Sequence, residues 1–445
     1  MDYKKKKNKD NKINWWELSL IGIGSIIGAG FFLGSEITIR LAGTGALIVY
    51  IFSGITAYIV FTALAEMSIN DPEEGSFKSY AYTAYGHQMA FVSGWIYWIA
   101  GVLVMSSAVI ALSVFTQYWF NTVPIWILAL IYSILSFSIV LLGVDDFAKT
   151  ESIFAVIKIA VLVIFILFGL LILLEIIDFT ENGTMRNIHW FSQGLKGIWH
   201  GMIYGLLPFC GVATIGILAT DLDYPQDILK SGRVILFSLM LLYTLPLYLI
   251  LNFVPVESIQ QNQSPFLTLL LQYNLPWVDS IFNIILILAT FSTLVGTIYC
   301  IAKMMHSMAV DGDAPKLFIK TNHKAIPTNA LMLSAVGSVL AIFFSSILPK
   351  TIFEHFIGSA SIMLVLNWMI ILLSQRKIRK NKKNLDKYAY TMPFFPWLNS
   401  MGMALVAISL LGTLFNGAHR ISSILTMMIT LLLFLIACKK NKHHT

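Results

Sequence analysis

The chain has 445 residues, of which 57% are hydrophobic and only 12% charged, and its mean hydropathy is +0.76. That balance excludes a soluble globular domain and identifies a polytopic membrane protein. The formal charge of +7 sits in runs that abut apolar segments, such as Lys4-Lys5-Lys6-Lys7, Arg376-Lys377-Ile378-Arg379-Lys380 and Lys439-Lys440, which reads as membrane topology and argues against a nucleic-acid partner.

Residues 1–13, rich in Lys and Asn, are too short and too polar to fold and read as a disordered basic tail at the membrane surface. The apolar stretch from about Leu18 is too long for a signal-peptide core and lacks a small-residue cleavage site. At roughly 20 apolar residues per crossing, twelve spans fall near 17–40, 44–66, 87–114, 124–142, 151–176, 198–220, 233–255, 277–302, 328–348, 353–374, 394–415 and 420–438. No loop is long enough to fold as a separate domain, so function must lie inside the bundle. With the N-terminus inside, cytoplasmic segments hold 24 of the 30 Lys and Arg, five fall outside, and Lys158 falls within a span. Both termini are thereby placed on the cytoplasmic side of the cell membrane.

Span one contains the run Gly24-Ser25-Ile26-Ile27-Gly28-Ala29-Gly30-Phe31-Phe32-Leu33-Gly34. A helix broken there frees backbone groups that lipid cannot satisfy, which is tolerated only where the break lines a cavity or binds a solute. Span five carries Lys158, seven residues after Glu151, among Ile, Ala, Val and Leu. An ionisable group inside a span is a functional hypothesis by default because placing it there costs a few kcal/mol. The competing reading is a lysine snorkelling to the interface, since it lies about 10 Å from Glu151 at 1.5 Å per residue. Span six carries Pro208-Phe209-Cys210-Gly211-Val212-Ala213-Thr214-Ile215-Gly216, again proline and glycine in an apolar run.

Spans one and six each open a group of five spans, at 17–176 and 198–374, so the two breaks fall at matching positions. Matched breaks suit a five-plus-five inverted repeat, whereas a lone glycine would more simply allow close helix packing. The domain reading is a transport core over 14–376, peripheral spans eleven and twelve over 377–438, and a cytoplasmic tail over 439–445. Cys210, Cys300 and Cys438 lie in or beside apolar segments and form neither a disulfide framework nor a metal cluster. No cofactor is implied.

Several separated motifs resemble the amino acid permeases of the amino acid-polyamine-organocation superfamily. They are GSIIGAGFFLG, GALIVYIFSGITAYIVFTALAEM, DPEEGSF, GWIYW and TQYWF in the first 120 residues, then PFCGVATIG with Pro225, SPF at 264–266 and AVDGDAPK at 309–316. The likeness is strongest over about the first 160 residues and faint in the last two spans. It implies an all-α polytopic membrane protein of twelve helices with a LeuT-like inverted repeat, helices one and six broken, and substrate held near the midplane at the breaks.

In such a site the half-helix N–H groups around Gly28, Ala29 and Gly30 favour a carboxylate. Carbonyls near Leu207, Phe209 and Cys210, with that of Ile26, would accept from an α-ammonium. By resemblance, Ser25, Ala29 and Gly30, and Phe209 to Ala213 including Gly211, match substrate-contacting positions, and Phe209 is a candidate gate. Many relatives carry a glutamate where this chain has Ala213, which argues against a cationic substrate and favours neutral, small amino acids; acidic ones remain an alternative. Glu151-Ser-Ile-Phe-Ala-Val-Ile-Lys158 looks like the span-five pattern of proton-coupled permeases, in which the ammonium replaces a bound sodium ion, with Ser292 and Thr293 of span eight facing it. The expectation is neutral amino acid:proton symport by alternating access, with spans one, two, six and seven moving against the rest. Exchange and sodium coupling are the rivals.

Other polar residues take structural readings. Glu66 and Glu151 are assigned to interfacial pairing or capping. Glu36 and Arg40 are read as a local ion pair with an outer-gate role as the alternative. Asp221, Asp223, Asp227, Asp311 and Asp313 balance nearby bases, and His200 is read as an interfacial residue. Trp15, Trp16, Trp119, Trp190 and Trp397 are interfacial anchors. An enzyme would need a nucleophile with its base, or metal-ligand spacing, inside the spans; neither an H-E-x-x-H helix nor paired intramembrane carboxylates occurs. A permease-like sensor is the alternative of another class. Substrate identity, stoichiometry and oligomeric state are left open by the sequence.

Overall fold

The computed structural model describes residues 13–73, 75–143, 147–176, 191–218, 222, 224–273, 276–322, 326–347, 352–381, 389–415 and 420–441. The basic tail, the last four residues, Trp190, Asp221 and Asp223 lie outside them. Within them the chain is helical, and one isolated backbone bridge, Ile13 to Leu222, is the exception to helical pairing.

The first predicted span is α1 (Trp15–Ile26), α2 (Ala29–Phe32) and α3 (Ser35–Ala42). Asn14 caps α1 and Glu17 returns a bond to the Asn14 N–H at 2.8 Å, a reciprocal arrangement that fixes where the helix starts. The next spans are α4 (Ala46–Asn70), α6 (His87–Gln117), α7 (Ile125–Leu142) and α8 (Phe147–Leu173), with a short α5 (Phe77–Tyr85) before α6. Span six is α9 (Gly194–Leu206), a 3-10 turn over Leu207–Phe209 and α10 (Val212–Leu218). Then come α11 (Ile228–Phe253), a short α12 (Pro265–Gln272), α13 (Pro276–Val310), α14 (Thr328–Ile347), α15 (Ile352–Asn381), α16 (Trp397–Phe415) and α17 (Arg420–Asn441). The α15 helix runs five residues past the predicted core boundary at 376, and α5 and α12 are helices that the count of spans did not anticipate.

Nine helical stretches among the described residues are long and apolar enough to cross a membrane, and Thr328–Phe343 is a shorter apolar helix. Their outward side chains are apolar as well: Ile134, Leu142, Ile164, Phe237 and Leu432 are all more than half exposed. In water such a surface would be untenable; against acyl chains it is the expected one.

Packing follows a regular scheme. The α6 helix packs against α13, α14 and α15, and α13 in turn against α7 and α8. The α4 helix packs against α9, α11 and α15, and α11 against α1 and α8. Glycines set the closest approaches. A Cβ at Gly232 of α11 would lie 1.9 Å from the Phe61 ring of α4, and one at Gly22 of α1 would lie 2.6 Å from Ile235 of α11. One at Gly205 of α9 would lie 2.4 Å from Val49 of α4. Gly232→Val is therefore expected to cost about 1–3 kcal/mol through overpacking. The check is a lowered thermal midpoint of the detergent-purified protein; an unchanged midpoint would mean that α4 and α11 do not approach this closely.

At the N-terminal end of the bundle, Glu66 of α4 is buried and accepts from Gln375 (2.8 Å), Arg379 (3.1 Å) and the Met392 N–H (2.7 Å). Lys78 of α5 pairs with Asp311 (2.6 Å) and Asp313 (3.4 Å), and His87 with Asp313 at 2.7 Å. At the opposite end Arg40 of α3 pairs with both Glu36 and Glu354 of α15, and Gln261 also donates to Glu354 at 2.7 Å. The Glu36–Arg40 pair is thus more than local, because it joins α3 to α15.

Candidate substrate and coupling site

The two breaks face each other. Between α1 and α2 the chain passes through Ile27 and Gly28 in extended backbone, and α2 begins with Phe31 and Phe32 donating to the Gly28 carbonyl at 3.0 and 3.1 Å. The N–H groups of Ala29 and Gly30 precede those first helical bonds, as at any helix start. On the facing segment the Cys210 N–H bonds the Leu207 carbonyl at 2.9 Å, and the Ala213 N–H the Cys210 carbonyl at 3.4 Å. Two of the carbonyls expected to be released by the break are thus engaged within a tightened turn. A Cβ at Gly211 would lie 2.6 Å from Ile26 and one at Gly30 would lie 3.5 Å from Leu207, so the breaks are in contact.

Most of this region is buried, including Ile26, Gly28, Ala29, Leu207, Phe209, Cys210 and Ala213. Ser25, Gly30 and Gly211 keep partial accessibility there, as does Thr293 of α13. These four small or short residues are the less buried positions at the breaks. Ser25 spends its hydroxyl on the Gly22 carbonyl at 3.1 Å. The Phe209 ring lies edge-on to Tyr243 with centroids 5.2 Å apart, and Tyr243 stacks on Phe31 at 4.0 Å. Phe31 also meets Tyr50 and Phe266, giving an aromatic layer between the breaks and the Arg40 cluster. An open surface groove of about 560 Å³ lies away from the breaks, against Leu195, Lys196, Trp199 and Phe415.

Lys158 is completely buried, which rules out snorkelling. Its Nζ donates to the Gly24 carbonyl at 2.5 Å and to Thr293 Oγ1 at 2.9 Å, and lies 3.7 Å from Glu151 Oε1. An ammonium has three protons and no acceptor; two are directed at Gly24 and Thr293, and the Glu151 carboxylate completes the cradle at ion-pair range. Thr293 completes the link by donating to the Ile27 carbonyl at 2.8 Å, directly at the break. Ser292, expected to face Lys158, instead donates to Glu151 Oε2 at 3.1 Å. Glu151, assigned from the sequence to the interface, is buried beside the lysine. The signal that could have found it is the seven-residue spacing, two turns, which places both side chains on one helix face.

The tight seating of α1 on α8 has its own glycine. A Cβ at Gly24 would lie 2.6 Å from the Ala155 Cβ and 3.1 Å from the Glu151 carbonyl oxygen. His200 stacks on Trp199 away from the lysine, and Cys210, Cys300 and Cys438 are free thiols. Among the described residues no group of three His, Cys, Asp or Glu is placed to hold a metal ion.

Residues 17–445 match the amino acid permease family. The uncharacterized transporter YcgH of Bacillus subtilis (strain 168) is 37% identical, with 100% of this chain and 98% of its own length covered. The aromatic amino acid transport protein AroP of Escherichia coli (strain K12) is 29% identical, with 89% and 88% covered. The gamma-aminobutyric acid permease of Bacillus subtilis (strain 168) is 28% identical, with 93% and 90% covered. With helices suited to lipid, two breaks in contact at its centre and a family match over all but the first sixteen residues, this integral membrane chain belongs to the amino acid permease family of transporters and is not an enzyme.

Proposed function

We propose that the protein imports a neutral amino acid with a proton by alternating access, with both termini cytoplasmic and substrate held between the two breaks. The observation that carries the coupling is the three-acceptor cradle around Lys158, because it ties α1 to α8 and α13 through the proton state of one side chain. A protonated lysine donates to Gly24 and Thr293 and faces the Glu151 carboxylate, which holds α1 against α8 and α13. A neutral amine loses the attraction to Glu151 and the charge assistance of both hydrogen bonds, so the hold on α1 weakens.

Substrate chemistry follows from the lining. The α-carboxylate would meet the N–H groups of Ala29 and Gly30, and the α-ammonium the Leu207 and Cys210 carbonyls and that of Ile26. Among the described residues, the charged side chains beside the breaks are Lys158 and its partner Glu151, which are engaged with each other. The side chain is therefore read by Ala213 and the aromatic edge of Phe209 and Tyr243, which favours an uncharged one.

The packing scheme supports a five-plus-five repeat over twelve crossings. If spans one to five are exchanged with six to ten, the α4–α9 contact maps onto α11–α1, α6–α14 onto α13–α7, α6–α15 onto α13–α8, and α4–α15 onto α11–α8; all eight pairs pack. In the proposed topology the Arg40–Glu354 pair and the aromatic layer close the outer side.

The test is uptake of labelled neutral, cationic and acidic amino acids into liposomes holding the purified protein, under a pH gradient or, separately, a sodium gradient. Accumulation of neutral substrates driven by pH alone is expected. Accumulation driven by sodium alone, or counterflow without net uptake, would replace proton coupling by one of its rivals. No flux of any substrate would favour a sensor.

A further inference from the structure

The proton held by Lys158 needs a way out. Of the three groups that contact its ammonium, the Gly24 carbonyl cannot bind a proton at any relevant pH, and Thr293 already directs its own hydroxyl proton at Ile27. Glu151 is the remaining partner and the one Brønsted base. One carboxylate oxygen is held by Ser292, and the other, Oε1, accepts no hydrogen bond and lies 3.7 Å from Nζ. That gap is closed by a small rotamer change or by one water. Glu151 also lies seven residues nearer than Lys158 to the start of α8, about 10 Å along the axis.

Resting on the proton-coupled reading above, we propose that Glu151 is the proton acceptor for Lys158 and the group that passes the coupling proton toward the cytoplasm. In the transfer an Nζ–H bond breaks and an O–H bond forms on Oε1, so ammonium and carboxylate become amine and carboxylic acid. The pair carries no net charge before or after, so the step leaves no uncompensated charge in apolar surroundings, which would be the costly outcome. The acid then gives its proton to cytoplasmic water and returns to carboxylate.

The α1 helix is placed to control the second step, because it packs beside the residue: a Cβ at Gly24 would lie 3.1 Å from the Glu151 backbone carbonyl oxygen, and the Gly24 carbonyl shares Lys158 with Glu151. Movement of α1 away from α8, once its hold weakens on neutralisation of Lys158, would open this side of Glu151 when it carries the proton. The other charged neighbours do not compete for it. On α13, Cys300 is a half-buried free thiol and Lys303 lies over the Tyr299 ring. On α1, Glu17 is bonded to Asn14; on α11, Lys230 pairs with Asp227 and Arg233 bonds the Leu229 carbonyl.

The experiment compares wild type, Glu151→Gln and Glu151→Asp in liposomes, reading net pH-driven uptake and substrate counterflow over a range of internal pH. Counterflow returns the carrier loaded and needs no proton release, whereas net uptake does. Glu151→Gln is expected to lower net uptake at least tenfold at every internal pH while counterflow stays within about twofold of wild type. Glu151→Asp, with a longer gap to Nζ, is expected to be intermediate. A static counter-ion would behave differently: the pH profile would move but the peak net rate would persist, and that result, like an unchanged profile, would overturn the relay. If Glu151→Gln does not reconstitute, Glu151→Asp decides, since wild-type net uptake in it would equally overturn the proposal. Absence of pH-driven uptake in wild type would instead remove the coupling reading itself.

Discussion

Lys158→Ala is expected to abolish pH-driven accumulation while leaving counterflow intact. With one proton per substrate, an inward gradient sets accumulation at about tenfold per pH unit, since one unit is worth about 1.4 kcal/mol. Two units should thus give roughly a hundredfold in wild type and no accumulation beyond equilibration in the variant. The substitution also strands Glu151 and the Gly24 carbonyl, and removing one partner of a buried pair costs about 3–5 kcal/mol. Lower thermal stability is therefore part of the expected result. The double variant Lys158→Ala with Glu151→Gln should recover much of that stability without recovering accumulation, which separates the energetic role from the coupling role. Normal proton-driven accumulation in Lys158→Ala would sink the coupling assignment.

Gly28→Leu is expected to abolish substrate binding while leaving the chain inserted. The backbone at Gly28 is extended and open to any residue, so the obstacle is space and not conformation. A Cβ there would lie 2.9 Å from Thr293 Oγ1 and Cγ2. Thr293 cannot simply swing aside, because its hydroxyl is bonded to Ile27 and to Lys158. A leucine at this position would therefore push α1 away from α13 or intrude between the breaks. The measurement is equilibrium binding of whichever substrate is transported best, where loss of at least a hundredfold in affinity is expected. Gly30→Ala is the milder companion: its Cβ would be in ordinary contact at 3.5 Å from Leu207, so it should weaken binding without lowering thermal stability. Wild-type affinity in Gly28→Leu would place the site elsewhere.

Much of the helical order was legible because lipid imposes a simple rule. Backbone groups must pair within the segment and side chains must be apolar, so long apolar runs report crossings almost directly. The breaks at Gly28 and at Pro208 were legible for the same reason, as places where that rule is interrupted. What escaped was everything set by contacts between distant parts of the chain. Glu151 has the sequence position of an interfacial residue, yet it is buried, with its carboxylate against Ser292 of α13 and Lys158. The reach of Arg40 to Glu354 spans 314 positions and has no local signature. The α5 and α12 helices were missed because they are too short to register as spans and lie in what reads as loop.

The glycine contacts that join α4, α9, α11 and α1 have a mechanical consequence. A ring or methyl resting on a neighbour's backbone acts as a tooth in a notch, and teeth at Phe61, Ile235 and Val49 lie at different heights along these helices. Helices keyed in this way resist sliding or rolling against one another, since any slip must lift every tooth at once. Whatever motion this group makes is then that of a stiff lever, small near its pivot and growing toward the membrane surfaces, so that in the proposed cycle a proton's worth of change beside Gly24 would be delivered as displacement at the two ends.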